Sequence, residues 1–367
     1  MSHLDVQFSL ISRFFIILQC FRPAPPCGLP ITPVLTSASL LHSPSYVSSA
    51  QPPSVPPMSP IPPMVGYDTD TYGRIPSQFS VYDNDPYYGS VIEPSSGRTY
   101  QNFKPGRYPL PDDDAEQERM DLQHCMFRIA LGGRLYLSPI KFETTKHVLD
   151  VGTGTGVWAN EFAEEHPQTQ VMGIDLSRIQ PSRFPNCIFH RADAEDEWMY
   201  YPLKFDFVFM RGMNVCFDNT RAVLRSAFLN MNAGAAIEYQ ALTWEVCSDD
   251  GTTEGTHLER WAQLLSAGAT AMGRDVRCVS HVEEWLKELG FVDIRRVQVL
   301  LPTNRWPREG KWNLVGKFAM EDLCMGIDGV SRRLLTAAGL LQAQINELLP
   351  LVRSDVRNTN IHAYLPL

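Results

Sequence analysis

A chain of 367 residues is long enough for one large α/β domain with an appendage, or for two modest domains. It is 44% hydrophobic, 10% aromatic and 20% charged, a globular average that excludes collagen, coiled coil and wholesale disorder. The net charge of −9 supplies no positive field toward phosphate backbones, so direct nucleic-acid binding is not expected.

Residues 1–94 read as an extension. The first 66 residues hold 13 of the 28 prolines but only three charged side chains, Asp5, Arg13 and Arg22. Stretches such as QPPSVPPMSPIPPM lose backbone donors and have φ fixed, so 22–90 is expected to be disordered with polyproline II character. The apolar run FSLISRFFIILQCF at 8–21 stands apart. Three readings compete for it: a signal-like segment, a buried or partner-binding amphipathic helix, and an artefact of gene prediction. Asp5 before the run and Arg13 inside it speak against a secretory signal. No run reaches the ~18 apolar residues of a membrane-spanning helix. The eight cysteines (20, 27, 125, 187, 216, 247, 278 and 324) form no CxxC pair, so free thiols and no zinc are expected.

From 95 onward the pattern is that of a folded domain, with cap helices over 95–146, a ligand-binding core over 147–242, and further cap helices with the last strands over 243–367. The spacing predicts a helix over 112–131. Strands follow at 147–151, 171–175, 187–193 and 205–211, with a helix between the first two. TRAVLRSAFLNM then reads as a helix, AAIEYQAL as a strand, HLERWAQLLSAGATAMG and HVEEWLKELG as helices, and FVDIRRVQVLL as a strand. Short apolar strands alternating with amphipathic helices imply a Rossmann-like α/β fold, a mostly parallel sheet covered on both faces.

The stretch VLDVGTGTGVWANEF, followed by VMGIDLS, carries the chemistry. Gly152, Gly154 and Gly156 let the backbone of the strand–helix turn, with Thr153, approach a ligand that any Cβ would obstruct. Asp175, with Leu176 after it, ends the next strand 23 residues past Gly152, where an acid can hold both hydroxyls of a ribose. The order D-x-G-x-G-x-G, rather than GxGxxG, puts Asp150 where a pyrophosphate would be repelled and an ammonium welcomed. That combination suits S-adenosylmethionine. Asp193 and the Ala194 amide are placed to read adenine; an acidic solvated loop is the rival reading. Arg211, at the carboxyl edge of the sheet, either lines the pocket or pairs with that loop.

SGRTYQNFKPGRYPLPDDDAEQERMDLQH, the glycine turn with IDLSRIQP, ADAEDEW, SDDGT and IHAY together resemble the fungal LaeA-like methyltransferases, which include secondary-metabolism regulators and gene-cluster enzymes. The resemblance covers about 95–367. It implies a seven-stranded class I sheet, S-adenosylmethionine as cofactor, and Tyr100 of GRTY covering that cofactor. It further implies a small-molecule methyl acceptor or, alternatively, regulatory protein partners with little or self-directed turnover, in the cytoplasm or nucleus. In two places the chain departs from the family. MNAGAA stands where a Pro-Gly-Gly turn is usual, and the chain stops at IHAYLPL, where relatives continue into a last strand inserted antiparallel between the fifth and sixth. A truncated final strand is therefore expected, leaving two strands short of a neighbour at about 0.5–1.5 kcal/mol per unpaired group.

Methyl transfer from a sulfonium is in-line displacement and rests on alignment and water exclusion. His124, Glu238, Tyr239 and His257 flank strand ends or the cap, and none is assigned as a base. Phe217, Trp244, Trp261, Trp285, Trp306 and Trp312 either form a wall for a planar apolar acceptor or belong to the core.

Overall fold

Strands that read as unbroken apolar runs must be covered on both faces, and here helices provide the cover. The computed structural model describes residues 17–21, 89–200, 203–308 and 310–366. Of the disorder expected for 22–90, residues 22–88 lie outside the described residues, as do residues 8–16 of the apolar run, whereas Ser90 already belongs to a strand.

The elements run in chain order β1 (Ile17–Phe21), β2 (Ser90–Ile92), β3 (Thr99–Gln101), α1 (Asp114–Ala130), β4 (His147–Val151), α2 (Val157–Glu165), β5 (Gln170–Asp175) and β6 (Cys187–Arg191). Next are β7 (Phe205–Arg211), α3 (Thr220–Leu229), β8 (Met231–Gln240), α4 (His257–Ala271), α5 (Val279–Leu289), β9 (Val292–Val297) and β10 (Leu300–Pro302). The chain closes with α6 (Gly310–Ala337), α7 (Gln342–Arg357) and β11 (Tyr364–Pro366). Seven strands form one sheet in the order β6-β5-β4-β7-β8-β1-β9. β4 through β8 are parallel, and β1 is antiparallel to both neighbours.

Two expectations need correcting. The sheet is not left open between β8 and β9: residues 17–21, from the ambiguous apolar run, take the seat expected to be empty. The fold also begins before 95, because β2 pairs with β3 across Ser90↔Gln101 to Ile92↔Thr99.

One face of the sheet is aromatic. Trp158 of α2 stacks on Phe209 with centroids 3.9 Å apart, beside Phe162 and Phe207, and its indole N–H donates to the Leu135 carbonyl at 2.9 Å. The other face packs Val208, Met210, Ile237 and Tyr239 against α3 and α5. A separate apolar cluster joins α4, α6 and α7 through Leu258, Trp261, Leu265, Leu334, Ile345 and Val352. No helix among the described residues is long and apolar enough to cross a membrane. The described cysteines (125, 187, 216, 247, 278 and 324) are free thiols.

α6 and α7 escape sequence reading because glycines and Pro350 interrupt their pattern. The glycines serve close approach instead. A Cβ at Gly316 would strike the Asn304 carbonyl, and one at Gly268 of α4 would strike the Leu334 carbonyl of α6. Gly268→Ala is accordingly expected to push these helices apart and cost about 1–3 kcal/mol, read as a lower urea midpoint at unchanged slope.

Candidate functional site

The turn after β4 is fixed by its own amides. Gly152 and Thr153 N–H donate to the Ile174 carbonyl of β5 at 2.9 and 3.0 Å, and Gly154 N–H donates to Asp175 Oδ2 at 2.9 Å. Gly156 caps α2 in the left-handed region (φ 75°), and a Cβ there would run into the Phe189 ring. Asp175 also accepts from the Ser177 amide at 2.9 Å. Burial pushes its pKa up to about 6, partly offset by these amide bonds.

A cavity opens at the carboxyl edge of the sheet. Of the residues singled out in the sequence, Gly152, Gly154, Asp175, Leu176, Asp193, Ala194 and Arg211 line it. Tyr100, Asp150, Thr153 and Gly156 are not among the lining residues. Tyr100 is buried in β3 with the Arg333 guanidinium 3.3 Å above its ring. Asp150 is buried behind the turn and accepts from Thr153 Oγ1 at 2.6 Å. Burial raises its pKa to about 7, against the pull of that hydrogen bond and of Arg211.

Arg211 does not pair with the acidic loop. Its Nη2 donates to His124 Nδ1 at 2.8 Å, and its guanidinium lies 4.8 Å from the centre of the Phe127 ring. Because Arg211 only donates, His124 carries its proton on Nε2 and gives it to Glu161 Oε2 at 3.0 Å. The His124 ring is 2% exposed and has both nitrogens engaged, so it has no lone pair to offer as a base. Glu238 is wholly buried and accepts from the Leu137 and Ser138 amides and Gln240 Nε2, which makes it an anchor for the loop at 137–138. Tyr239 is buried against Cys278, and His257 sits 3.4 Å from Asp355 at the start of α4; neither lines the cavity.

The segment between β3 and α1 crosses the mouth as a strap. Tyr108, Leu110, Pro111 and Asp112 line the cavity, and Asp112 Oδ2 accepts from Ser177 Oγ at 3.2 Å. Lys104 Nζ binds Asp193 Oδ2 at 2.9 Å and Asp196 Oδ1 at 2.6 Å. Arg107 reaches Glu195 at 2.7 Å and Asp193 at 3.3 Å, and also pairs with Asp218. The sequence reading missed this latch, although the basic KPGR and the acidic ADAEDE are complementary in charge.

The far side of the cavity is apolar. Phe217, Trp244 and Trp261 line it with Leu265, Val330 and Leu365, whereas Trp285, Trp306 and Trp312 pack elsewhere. Its polar point is Asp322 of α6, bound by Arg119 Nη1 at 2.6 Å and by Gln123 Nε2 at 3.2 Å. Among the described residues no cluster of His, Cys, Asp and Glu is arranged for a metal ion.

The family description "Methyltransferase domain" matches residues 122–295. Methyltransferase pytC of Aspergillus terreus is 30% identical over 272 residues, 73% of this chain and 83% of that protein. The secondary metabolism regulator laeA of Monascus pilosus is 32% identical over 274 residues, 73% and 74% of the two chains. Among solved structures, Haemonchus contortus phosphoethanolamine N-methyltransferase 2, in complex with phosphomonomethylethanolamine and S-adenosylhomocysteine, matches at 17% identity and TM-score 0.36. That match covers 68% of this chain and 50% of that one, so the chain spans about half its length, and the likeness carries no inference about ligands.

Burial holds the pKa of His124 down to about 4, while the unfolded side chain titrates near 6.5. As pH falls from ~6.5 to ~4 the unfolded chain gains a proton that the fold refuses, so His124 costs stability across that window, about 1.4 kcal/mol per unit. Subtracting the pH–stability curve of His124→Gln from that of the wild type is expected to isolate this slope.

Proposed function

Because the chain belongs to the fungal LaeA-like family of class I S-adenosylmethionine-dependent methyltransferases, we propose that the cavity at the carboxyl edge of its sheet holds S-adenosylmethionine in one half and a small-molecule methyl acceptor in the other. The observation that carries this reading is the Asp175 carboxylate, lining the cavity at the end of β5 and tied by one amide to the glycine turn. Its remaining lone pairs suit the paired hydroxyls of a ribose, and the Cβ-free backbone at Gly152 and Gly154 suits the methionyl part. Asp193 and Ala194 are assigned to the adenine end. Asp150, oriented by Thr153, supports the ammonium end from behind the turn, directly or through water; Arg211 lines the cavity, and Gly156 sets the start of α2. Tyr100 lies under the Arg333 guanidinium, which also donates to the Tyr108 carbonyl, and is assigned to holding the strap through Arg333.

The core at 147–242 thus supplies most of the cofactor half, and Phe217 joins the cap segments at 95–146 and 243–367 around the acceptor half. When bound, the sulfonium provides a methyl group already activated for displacement. No histidine, lysine or glutamate lines the cavity among the described residues, and its one carboxylate in the acceptor half, Asp322, is committed to Arg119. The protein's contribution is therefore alignment and exclusion of water by the apolar wall and the strap.

Asp175→Ala is expected to weaken S-adenosylmethionine binding tenfold or more by calorimetry, as loss of a charge-assisted bond of about 1.5–3 kcal/mol requires. The ribose hydroxyls donate, so they prefer the ionised carboxylate. With Asp150 raised to about 7 and Asp175 to about 6, wild-type affinity should then fall as pH drops through ~7 to ~6 and level off only above ~7.

A second reading, regulation of secondary metabolism through protein partners in the cytoplasm or nucleus, is favoured by the regulator laeA standing at 32% identity beside the 30% of pytC. Metabolite profiles of a deletion strain separate the two. Loss of one methylated product is the expected outcome, whereas shifts across many unrelated pathways would support the regulator.

A further inference from the structure

Residues 17–21 sit where the topology leaves a gap. All five pair with β8, from Ile17↔Gln240 to Phe21↔Ala236, and the opposite edge pairs with β9, from Ile17↔Val297 to Phe21↔Val292. The two edges differ in what they need. Ile237, Glu238, Tyr239 and Gln240 of β8 are wholly buried, so its peptide groups have no water to fall back on. β9 is mostly exposed, carries Arg295 and Arg296, and among the described residues has no strand neighbour but β1. Among the described residues β1 is thus the sole strand link between β9 and the sheet.

We propose that the gap between β8 and β9 is a strand-binding site whose occupant is residues 17–21 of the same chain. The sheet is then assembled by docking a remote segment, as in β-strand addition between separate chains, and the N-terminal extension is a detachable part of the fold. Residues 22–89 are the covalent link between this strand and β2. Loop-closure entropy grows only logarithmically with length, so a long link opposes docking little more than a short one. Tethering also keeps the strand at a local concentration well above that of other copies in micromolar protein, which favours the chain's own segment. The site matters to the cavity because the end of β8 supports it: Gln240 C=O accepts from the Gly212 amide, and Leu242 C=O accepts from Asn214 Nδ2. Gly212, Asn214 and Leu242 all line the cavity.

The test uses the full chain with a site-specific protease sequence inserted between Ser48 and Ser49, cut after folding. The expected result is that the N-terminal fragment stays with the remainder as a one-to-one pair on gel filtration, with an unchanged thermal midpoint, and leaves only on unfolding. In the same chain Leu18→Pro, which removes a ladder donor, is expected to release the fragment on cutting and lower the midpoint by roughly 5 °C or more, while Ser9→Pro does neither. The proposal is overturned if the wild-type fragment separates and leaves the midpoint intact, or if the Leu18→Pro fragment remains bound. It is likewise overturned if the uncut protein runs as a dimer whose strands are exchanged between copies. Should Leu18→Pro fail to fold, the cut wild-type chain still decides. Neither readout depends on the ligand, so the outcome is separate from that of the cofactor assignment.

Discussion

Two amides on one carbonyl hold the mouth of this sheet together. Gly152 and Thr153 both donate to Ile174 C=O, which binds the turn leaving β4 to the end of β5 before any ligand arrives. That contact makes the next amide, at Gly154, face Asp175, and the acid and the bare backbone are presented side by side. Asp175 in turn holds the Ser177 amide, and Ser177 Oγ reaches Asp112 on the strap. A hydrogen-bond path therefore runs from the first parallel strand to the segment that covers the cavity. The site is prepared in the sense that its donors and acceptors are already oriented, which lowers the cost of ordering them on binding.

Behind the turn, charge is arranged as support. The sequence Glu161, His124, Arg211 places a neutral imidazole between an anion and a cation, with Arg211 favoured further by Asp150 nearby. Burial pulls the pKa of Arg211 down to about 10, which still leaves it charged at neutral pH. In the low-polarity interior such a chain is stable only if every member is satisfied, and here each ring nitrogen has a partner. The arrangement fixes α1 against the sheet and keeps Met120 and Gln123 at the cavity wall.

The central strands and the glycine turn were legible because their signals are local: unbroken apolar runs, a D-x-G-x-G-x-G turn, and an acid at the next strand end. What stayed hidden depends on residues far apart in sequence. The run at 8–21 reads locally as a helix, a signal-like segment or a gene-prediction artefact, and only the edges of β8 and β9 show residues 17–21 to be a strand. The glycines of α6 read as breakers until Asn304 and Arg119 are seen packed against them. Asp193 reads as a ligand for adenine, but its partners Lys104 and Arg107 come from a segment whose only local feature is two basic residues around a Pro-Gly pair. His124 and Glu238 look catalytic in isolation. Their hydrogen bonds to Arg211, Glu161 and the Leu137–Ser138 amides show them to be braces.

The strap between β3 and α1 carries wall residues of both halves of the cavity, Asp112 beside Ser177 and Tyr108 and Leu110 toward the apolar side, and its charged fastening is the Lys104 and Arg107 latch. Unfastening it to admit a nucleoside unseals the other compartment as well. A change at this one segment therefore reaches both ends of the cavity together.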